Sequence, residues 1–353
     1  MKLRKEIRNA DSILSTCTIP LSLVNPINEA SAKKSFFSGK TKNPVLEYNP
    51  PLKELLELRR KIFSINIDEI DAQDSLINEK QALMIRKIDM INSIGCIDFT
   101  EKSIKVYGLP DKDTINKAYE IVQKKIKNRK AKKVLSKSAV DIIKANLKQF
   151  RLNYKVKRAD IITSCAVCYE KKIIKLKKKE RFSQDFINRL IVHEIGTHVF
   201  RYENGLRQKL KILAKGINYY ENEEGLAAYN EERFGVLNES FLKNYAGRVI
   251  AVSNAQMFDF HRTFRELRRF FDKKTAFQLT MRAKRGIANT AFPGGFTKDY
   301  LYLKGYYKIK NYAERGGDIN ELYYGKINTD DVLLLKNFGL AKPKLIPKDF
   351  ILF

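Results

Sequence analysis

The stretch Ile191-Val-His-Glu-Ile-Gly-Thr-His198 contains two of the three histidines in the chain. The two stand five residues apart, with a glutamate directly after the first, so the pattern is HExxxH. On a regular α-helix of about 3.6 residues per turn, the two imidazole rings would point about 140° apart. A π-turn closes over five residues and would bring both rings to one face. The sequence therefore predicts a bulge or kink at Ile195–Thr197, where Gly196 makes backbone distortion least costly.

Two histidines on one helix face are two of the ligands that a catalytic zinc site needs. Such sites use three protein ligands, and two histidines with one glutamate are a known set. The candidate third ligand is Glu224, which stands before small residues that would let a second helix approach closely. Taken separately, a histidine on an apolar face is usually a core residue, and glutamates near a helix start usually interact with the helix dipole. Together, in a chain so poor in histidine, these residues favour a metal site.

The rest of the chain is predicted to be mainly helical. Apolar spacing and capping residues predict helices at 52–63, at 74–94, after Asp113 and from Ser136 to Gln149. Five prolines predict an irregular first fifty residues. The segment 158–177 is rich in β-forming residues and predicts a hairpin directly before the motif helix. That helix should begin at the N-cap Ser183 and end at Asn204-Gly205.

The predicted fold class is α+β, predominantly helical, with a small sheet or hairpin before the HExxxH helix. The expected type is a zincin-like metallopeptidase. A loose boundary near 130 would separate an N-terminal helical region, 1–130, from the catalytic region 131–353 on which it packs. No linker marks this boundary, so the two regions are expected to form one continuous domain.

Composition limits the class of protein. The 353 residues are 44% hydrophobic and 11% aromatic, which excludes a wholly disordered chain. The sequence has no apolar run long enough for a membrane helix and no apolar signal segment near its start, so a cytoplasmic protein is expected. Four cysteines are too few for a disulfide scaffold. Cys165 and Cys168 form a CxxC without a second one, and they are interpreted as small apolar residues of a buried segment.

The charge is strongly positive, with 68 Lys and Arg against 40 Asp and Glu and a net charge of +28. Such a field attracts nucleic acid, acidic lipid or acidic peptides. The charge is spread along the whole chain, and no zinc-finger spacing or RNA-binding signature occurs, so nucleic-acid binding is not favoured. An acidic peptide is the partner that this charge suits best, especially near the basic run Lys177–Arg181.

Several motifs together are similar to a known family. They resemble the QEGLA-motif zinc proteins, also named flavohemoglobin expression-modulating QEGLA motif proteins. The animal members of that family are the microtubule-associated tyrosine carboxypeptidases, which remove the terminal tyrosine of α-tubulin. The resemblance covers roughly 20–345, and its motifs are HEIGTH (193–198), Arg201, Asn204-Gly205, Glu224-Gly-Leu-Ala227, Pro26-Ile-Asn, Pro44-Val-Leu-Glu-Tyr48, Tyr107-Gly-Leu-Pro110, Arg282-Ala-Lys-Arg-Gly286, the segment 294–305 and Leu322-Tyr-Tyr-Gly-Lys-Ile327.

The resemblance implies a zinc-dependent metallocarboxypeptidase that cuts the C-terminal peptide bond of a protein or peptide. His193, His198 and Glu224 would hold one Zn²⁺ per chain. A zinc-bound water would be the nucleophile, and Glu194 the general base. The alternative is a zinc-containing regulatory or binding protein without peptidase turnover. The glutamate beside the first ligand favours the enzyme. The chain departs from the family at Glu223, where glutamine is usual, and at Lys209, where proline is frequent. These departures concern substrate choice rather than the metal.

A carboxypeptidase must also bind the terminal carboxylate of its substrate. Arginine does so through its planar fork. The candidates are Arg282, Arg285 and Lys298, which lie in the family-like segments, although ordinary surface charges are an equally good interpretation in so basic a chain. Tyr300 or Tyr302 could stabilise the developing oxyanion.

Overall fold

The computed structural model describes residues 3–68, 71–125, 133–161, 164–178, 180–217, 220–336 and 338–352. Helices dominate, as predicted. The helices are α1 (Lys5–Thr16), α2 (Glu29–Phe37), α3 (Lys53–Phe63), α4 (Ala72–Asn92), α5 (Phe99–Tyr107), α6 (Lys112–Gln123), α7 (Ser136–Gln149), α8 (Gln184–Leu190), a π-helix (Ile191–Val199), α9 (Phe200–Gly205), α10 (Ile212–Lys215), α11 (Tyr220–Arg233), α12 (Glu239–Met257), α13 (Phe260–Arg268), α14 (Lys273–Lys284), α15 (Leu301–Glu314) and α16 (Val332–Lys336), with 3₁₀ turns at Leu21–Val24, Lys298–Tyr300 and Ile319–Tyr324. Five short strands are β1 (Lys133–Leu135), β2 (Lys155–Ala159), β3 (Cys165–Cys168), β4 (Ile173–Lys177) and β5 (Arg181–Ser183).

The chain divides into two compact units, each formed by two separate stretches. Unit 1 comprises 126–238 and 305–353, and unit 2 comprises 2–125 and 239–304. The boundary predicted near 130 falls in 126–132, outside the described residues. Within the described part of the chain, no helix combines the length and the apolar character that crossing a membrane requires.

Unit 1 contains a three-stranded mixed sheet in the order β2-β4-β3 and a two-stranded sheet of β1 and β5. β3 and β4 form the predicted hairpin, antiparallel around the turn at 169–172. The predicted start of the hairpin at 158 was wrong, because Arg158 and Ala159 end a separate strand, β2, which pairs with β4 in parallel. The central strand β4 buries Ile174 and Leu176, which anchor the sheet. Residues 162–163, and residue 179 of the predicted basic loop, lie outside the described residues.

Unit 2 is built of helices packed on α12 and α4. α12 contacts α6, α13 and α14, whereas α4 contacts α1, α3 and α5. Aromatic rings fill the space between α2 and α13, where the Phe36 ring centroid lies 4.9 Å from Phe264 and 5.2 Å from Phe260. The prediction of an irregular start was wrong, since α1 and α2 both bury apolar side chains. The prolines lie outside these two helices, so they limit helix length without preventing helices.

The predicted helices α3 and α7 are found at the expected residues, and α4 ends shortly before Gly95 as expected. The N-cap of α6 was assigned to the wrong aspartate. Asp111 caps this helix, because its carboxylate accepts a hydrogen bond from the Thr114 amide at 2.8 Å. Asp113 lies inside the first turn, where a carboxylate interacts favourably with the helix dipole instead.

Candidate metal centre

The motif helix widens where the histidines stand. α8 is capped by Ser183, whose hydroxyl accepts a hydrogen bond from the Phe186 amide at 3.1 Å. The backbone then forms a π-helix over Ile191–Val199 before α9 ends at Gly205. The imidazole rings of His193 and His198 lie edge to face, with centroids 4.8 Å apart. The predicted distortion and the predicted limits of this helix are confirmed.

Polar side chains stabilise the widened turn. The Thr197 hydroxyl donates to the Val192 carbonyl, five residues earlier, at 3.3 Å. The Tyr323 hydroxyl donates to the Gly196 carbonyl at 3.0 Å. Asn230, on α11, donates to both the Tyr323 hydroxyl at 2.7 Å and the Thr197 hydroxyl at 2.8 Å. The π-turn is therefore hydrogen-bonded by Thr197 within the helix and by Tyr323 and Asn230 outside it. These bonds offset the poorer hydrogen-bond geometry of its own backbone.

Gly196 is required for close packing rather than for an unusual backbone angle. A Cβ atom at this position would lie 2.4 Å from Cζ of Phe350. The Phe350 ring is held by other rings, with centroids 5.4 Å from Phe150 and 4.9 Å from Phe234. The ring therefore has little freedom to move away from a larger residue.

We expect Gly196→Ala to destabilise the protein by about 1–3 kcal/mol, because overpacking forces the ring or the helix to shift. The free energy of unfolding in denaturant measures the loss. Phe350→Ala removes the clashing atoms. In a double-mutant cycle, Gly196→Ala should therefore lower the free energy of unfolding less in the Phe350→Ala protein than in the parent. Equal stability of Gly196→Ala and the parent would contradict the packing described here.

Glu224, in the second turn of α11, meets both histidines. Its Oε2 lies 3.7 Å from His193 Nε2 and 3.7 Å from His198 Nε2. One ligand atom from each of the three residues lies within 4.8 Å of the others, and all three side chains are buried. With bonds of about 2.0–2.1 Å, the ligands of a tetrahedral zinc stand roughly 3.3 Å apart, so the donor atoms would move slightly closer together around such an ion. The structure thus brings the three predicted residues together in an arrangement that could hold a metal.

α11 reaches this position through glycine contacts. A Cβ on Gly225 would lie 2.2 Å from the carbonyl carbon of Gly305 in α15, and a Cβ on Gly305 would lie 1.9 Å from the Glu221 oxygen. The close helix approach predicted from the small residues is confirmed. α11 spans Tyr220–Arg233, so Glu224 lies within the helix and not at its start.

Each imidazole is oriented by a second carboxylate. His193 Nδ1 lies 2.7 Å from Glu231 Oε1, and His198 Nδ1 lies 2.8 Å from Glu223 Oε1. A carboxylate accepts hydrogen bonds, so each Nδ1 carries the proton and each Nε2 is left for a metal. Burial lowers the pKa of His193, but the carboxylates of Glu224 and Glu231 outweigh burial and raise it to about 9. The carboxylates around His193 therefore favour positive charge at this position.

The carboxylate of Glu223 is neutralised by cations. Lys326 Nζ lies 2.8 Å from Glu223 Oε1, and the Arg201 guanidinium bonds the other oxygen. Burial would raise the pKa of Glu223, but Lys326, Arg201 and His198 hold it well below its usual range. Arg201 is itself fully buried, and its guanidinium also donates to the carbonyls of Leu322, Gly325 and Ile327.

Glu231 has a cationic partner as well, since Arg189 Nη1 lies 3.0 Å from its Oε1. The roles of Glu231, Arg189, Arg201 and Lys326 were missed in the sequence analysis. One signal was present: Glu224 and Glu231 are seven residues apart and share a helix face, with two alanines between them. Arg201 and Lys326 stand in motifs of the family resemblance, which assigned them no role, and Arg189 left no such signal.

Glu194 is less buried than its spacing with Leu190 and His198 suggested. Its side chain is half-buried, next to the buried His193. Within the described part of the chain, Glu194 makes neither a hydrogen bond nor an ion pair. A carboxylate at this position is available for chemistry rather than for holding the fold.

The predicted substrate-binding residues lie in unit 2. Arg282 donates to both oxygens of Asp299, at 2.6 and 3.0 Å. Arg285 donates to Asp299 at 3.3 Å and to Asn25 at 2.8 Å. Burial would raise the pKa of Asp299, but the two guanidiniums hold it well below its usual range. Burial also lowers the pKa of Arg285 to about 10. The proposed role of Arg282, Arg285 and Lys298 toward a substrate stays a prediction.

The two tyrosines considered for oxyanion stabilisation have contacts within unit 2. The Tyr300 hydroxyl donates to the Tyr107 carbonyl at 2.6 Å. The Tyr302 ring stacks on Tyr245 at 5.3 Å and lies 4.2 Å below the Arg248 guanidinium. The Tyr300 hydroxyl is therefore already hydrogen-bonded within unit 2.

The fold and the site together define a candidate metalloprotein, in which a widened helix presents two histidines to a glutamate of a neighbouring helix. Comparison with protein families places it more narrowly. The model of the family described as microtubule-associated tyrosine carboxypeptidase matches residues 34–350, so the chain belongs to this family. The predicted relation to the microtubule-associated tyrosine carboxypeptidases is confirmed.

Individual relatives match a smaller part of the chain. Human MATCAP2 is 31% identical over 171 residues, which cover 46% of this chain and 32% of the relative. Human microtubule-associated tyrosine carboxypeptidase 1 is 29% identical over 170 residues, which cover 46% of this chain and 36% of that protein. The match spans roughly a third of the length of these relatives.

Proposed function

We propose that this protein is a zinc-dependent metallocarboxypeptidase that removes the last residue of a protein or peptide. The observation that carries the proposal is the convergence of His193, His198 and Glu224 on one point, with Glu194 beside them and uncommitted to the fold. Family membership and the name of the human tyrosine carboxypeptidase support cleavage at a C-terminus.

The donor set fits zinc better than calcium or magnesium. Calcium and magnesium prefer oxygen ligands, whereas imidazole suits zinc. The carboxylates of Glu223 and Glu231 orient the imidazoles, an arrangement typical of zinc-binding histidines. When bound, zinc supplies a Lewis acid that polarises a carbonyl and lowers the pKa of water toward neutrality.

Glu194 performs the proton transfers in this proposal. Its carboxylate takes a proton from the attacking water as the water oxygen bonds to the scissile carbonyl carbon. The carbon–nitrogen bond then breaks, and Glu194 delivers the proton to the leaving amine. The products are the shortened chain and one free amino acid. A half-buried carboxylate can reach both water and substrate, which suits Glu194 to this role.

The substrate is proposed to be an extended, acidic C-terminal segment in the cytoplasm. β3 is an edge strand of its sheet, and an edge strand can pair with an extended peptide. The net charge of +28 would attract acidic sequences. Arg282, Arg285 and Lys298 remain the proposed readers of the terminal carboxylate.

The test compares two peptides of identical acidic sequence ending in tyrosine, one with a free C-terminus and one amidated. We expect zinc-loaded protein to release tyrosine from the free peptide only, as measured by mass spectrometry. A chelator should abolish release, and added zinc should restore it. Cleavage of both peptides at internal bonds would indicate an endopeptidase. If loaded protein cleaves neither this pair nor a C-terminal peptide library, a regulatory or binding role would replace the proposal.

A further inference from the structure

Tyr169 lies in the turn that connects β3 to β4, directly after Cys168. Its ring packs on Tyr202 of α9, with centroids 5.1 Å apart, and faces Lys326 Nζ at 4.6 Å. Both contacts use the ring. The described residues offer no hydrogen bond to the Tyr169 hydroxyl. The ring is thus fixed while its hydroxyl remains available.

A short chain of contacts joins this ring to the metal centre. The Lys326 ammonium that faces the ring lies 2.8 Å from Glu223 Oε1, which lies 2.8 Å from His198 Nδ1. Burial raises the pKa of the Tyr169 phenol well above its usual range, and the nearby carboxylates of Glu194, Glu223 and Glu224 raise it further. The ring is thus joined to His198 through Lys326 and Glu223, and the hydroxyl stays protonated.

Besides a Lewis acid, a hydrogen-bond donor aimed at the carbonyl oxygen accelerates peptide hydrolysis, because negative charge develops on that oxygen. The cations around the centre already have partners: Arg201 and Lys326 bind Glu223, and Arg189 binds Glu231. Glu194 is an acceptor while it is ionised. The Tyr169 hydroxyl is a neutral donor. Its ring is held by Tyr202 and Lys326, and the hydroxyl makes no hydrogen bond with the described residues.

We propose that Tyr169 is a further catalytic residue, whose hydroxyl donates a hydrogen bond to the scissile carbonyl oxygen in the transition state. Lys326 acts as a positioning residue, because it holds both the Tyr169 ring and the carboxylate that orients His198. The inference rests on the proposed peptidase function and extends it to a residue that neither the motif nor the ligand set includes.

The direct test is Tyr169→Phe, which removes the hydroxyl and keeps the ring contacts. We expect kcat on the free tyrosine-ending peptide to fall by about 10²–10³, with little change in KM, as for loss of one oxyanion donor. Zinc content and melting temperature should match those of the parent. The control is Tyr202→Phe, which removes the hydroxyl of the ring that packs against Tyr169. This variant should leave kcat unchanged.

Binding provides a readout independent of turnover. A phosphinic peptide mimics the tetrahedral transition state, whereas the uncleaved peptide bound to a Glu194→Gln background reports the ground state. Tyr169→Phe should lower the affinity for the phosphinic peptide by the same factor as it lowers kcat/KM. The affinity for the uncleaved peptide should not change.

The outcomes separate this inference from the proposed function. Unchanged kcat and unchanged phosphinic affinity in Tyr169→Phe would overturn the inference while an active parent upholds the peptidase. A raised KM with unchanged kcat would also overturn it, since Tyr169 would then bind the ground state equally well. An inactive parent would refute both.

Discussion

Replacement of Glu224 by alanine should leave the purified protein nearly free of metal, whereas the parent should carry one zinc ion per chain. Glu224 contributes the carboxylate oxygen that faces both Nε2 atoms at 3.7 Å. Loss of a residue that merely orients a ligand typically costs about 10–100-fold in metal affinity, so loss of a ligand should cost more than about 100-fold. Metal content after dialysis, measured by mass spectrometry, checks this expectation.

Glu232→Ala is the matched control, because it removes an exposed carboxylate from the same helix. Glu232 is paired with Lys310 at the surface, and such a pair contributes little to stability. This variant should retain zinc fully. Glu224→Gln keeps the size of the side chain, and it distinguishes metal loss from misfolding if the alanine variant has an altered circular dichroism spectrum. Full zinc occupancy in folded Glu224→Ala would mean that the third ligand is another residue.

The sequence predicted the part of the site that depends on spacing along a single helix. Two histidines five positions apart cannot share one face of a regular α-helix, so a shared site required the π-turn that is found at Ile191–Val199. The N-cap Ser183 and the terminal Gly205 are equally local signals, and both were identified correctly. Glu224 was chosen for its small neighbours, whose role is a contact between α11 and α15.

Features that depend on contacts between distant segments were not predicted. Lys326 and Arg201 meet at Glu223 only because the segment 322–327 folds back onto α9. The parallel pairing of β2 with β4 likewise joins strands that are not consecutive, and no local pattern specifies it. In the Asp111-Lys-Asp113 stretch either aspartate could cap a helix, and the choice depends on which residue begins the helix.

The last prediction concerns the chemical step. Glu194→Gln should lower kcat by about 10²–10⁴, the usual contribution of a general acid–base residue, and leave the zinc content unchanged. Glutamine matches glutamate in size and can still bind water, but it cannot accept the proton that the attacking water must lose. Because Glu194 makes no hydrogen bond or ion pair with another described residue, the melting temperature should also remain at the parent value.

A control on the same continuous helix is Glu203→Gln, which changes a half-buried carboxylate that binds the Tyr154 hydroxyl at 2.9 Å and takes no part in the proposed chemistry. This variant should retain activity, so that loss in Glu194→Gln reflects position and not merely the removal of one charge. Release of tyrosine is to be followed under single-turnover conditions, which separate chemistry from product release. Parent-like turnover by a zinc-loaded Glu194→Gln protein, freed of contaminating peptidases, would exclude Glu194 as the base and return that role to another group at the centre.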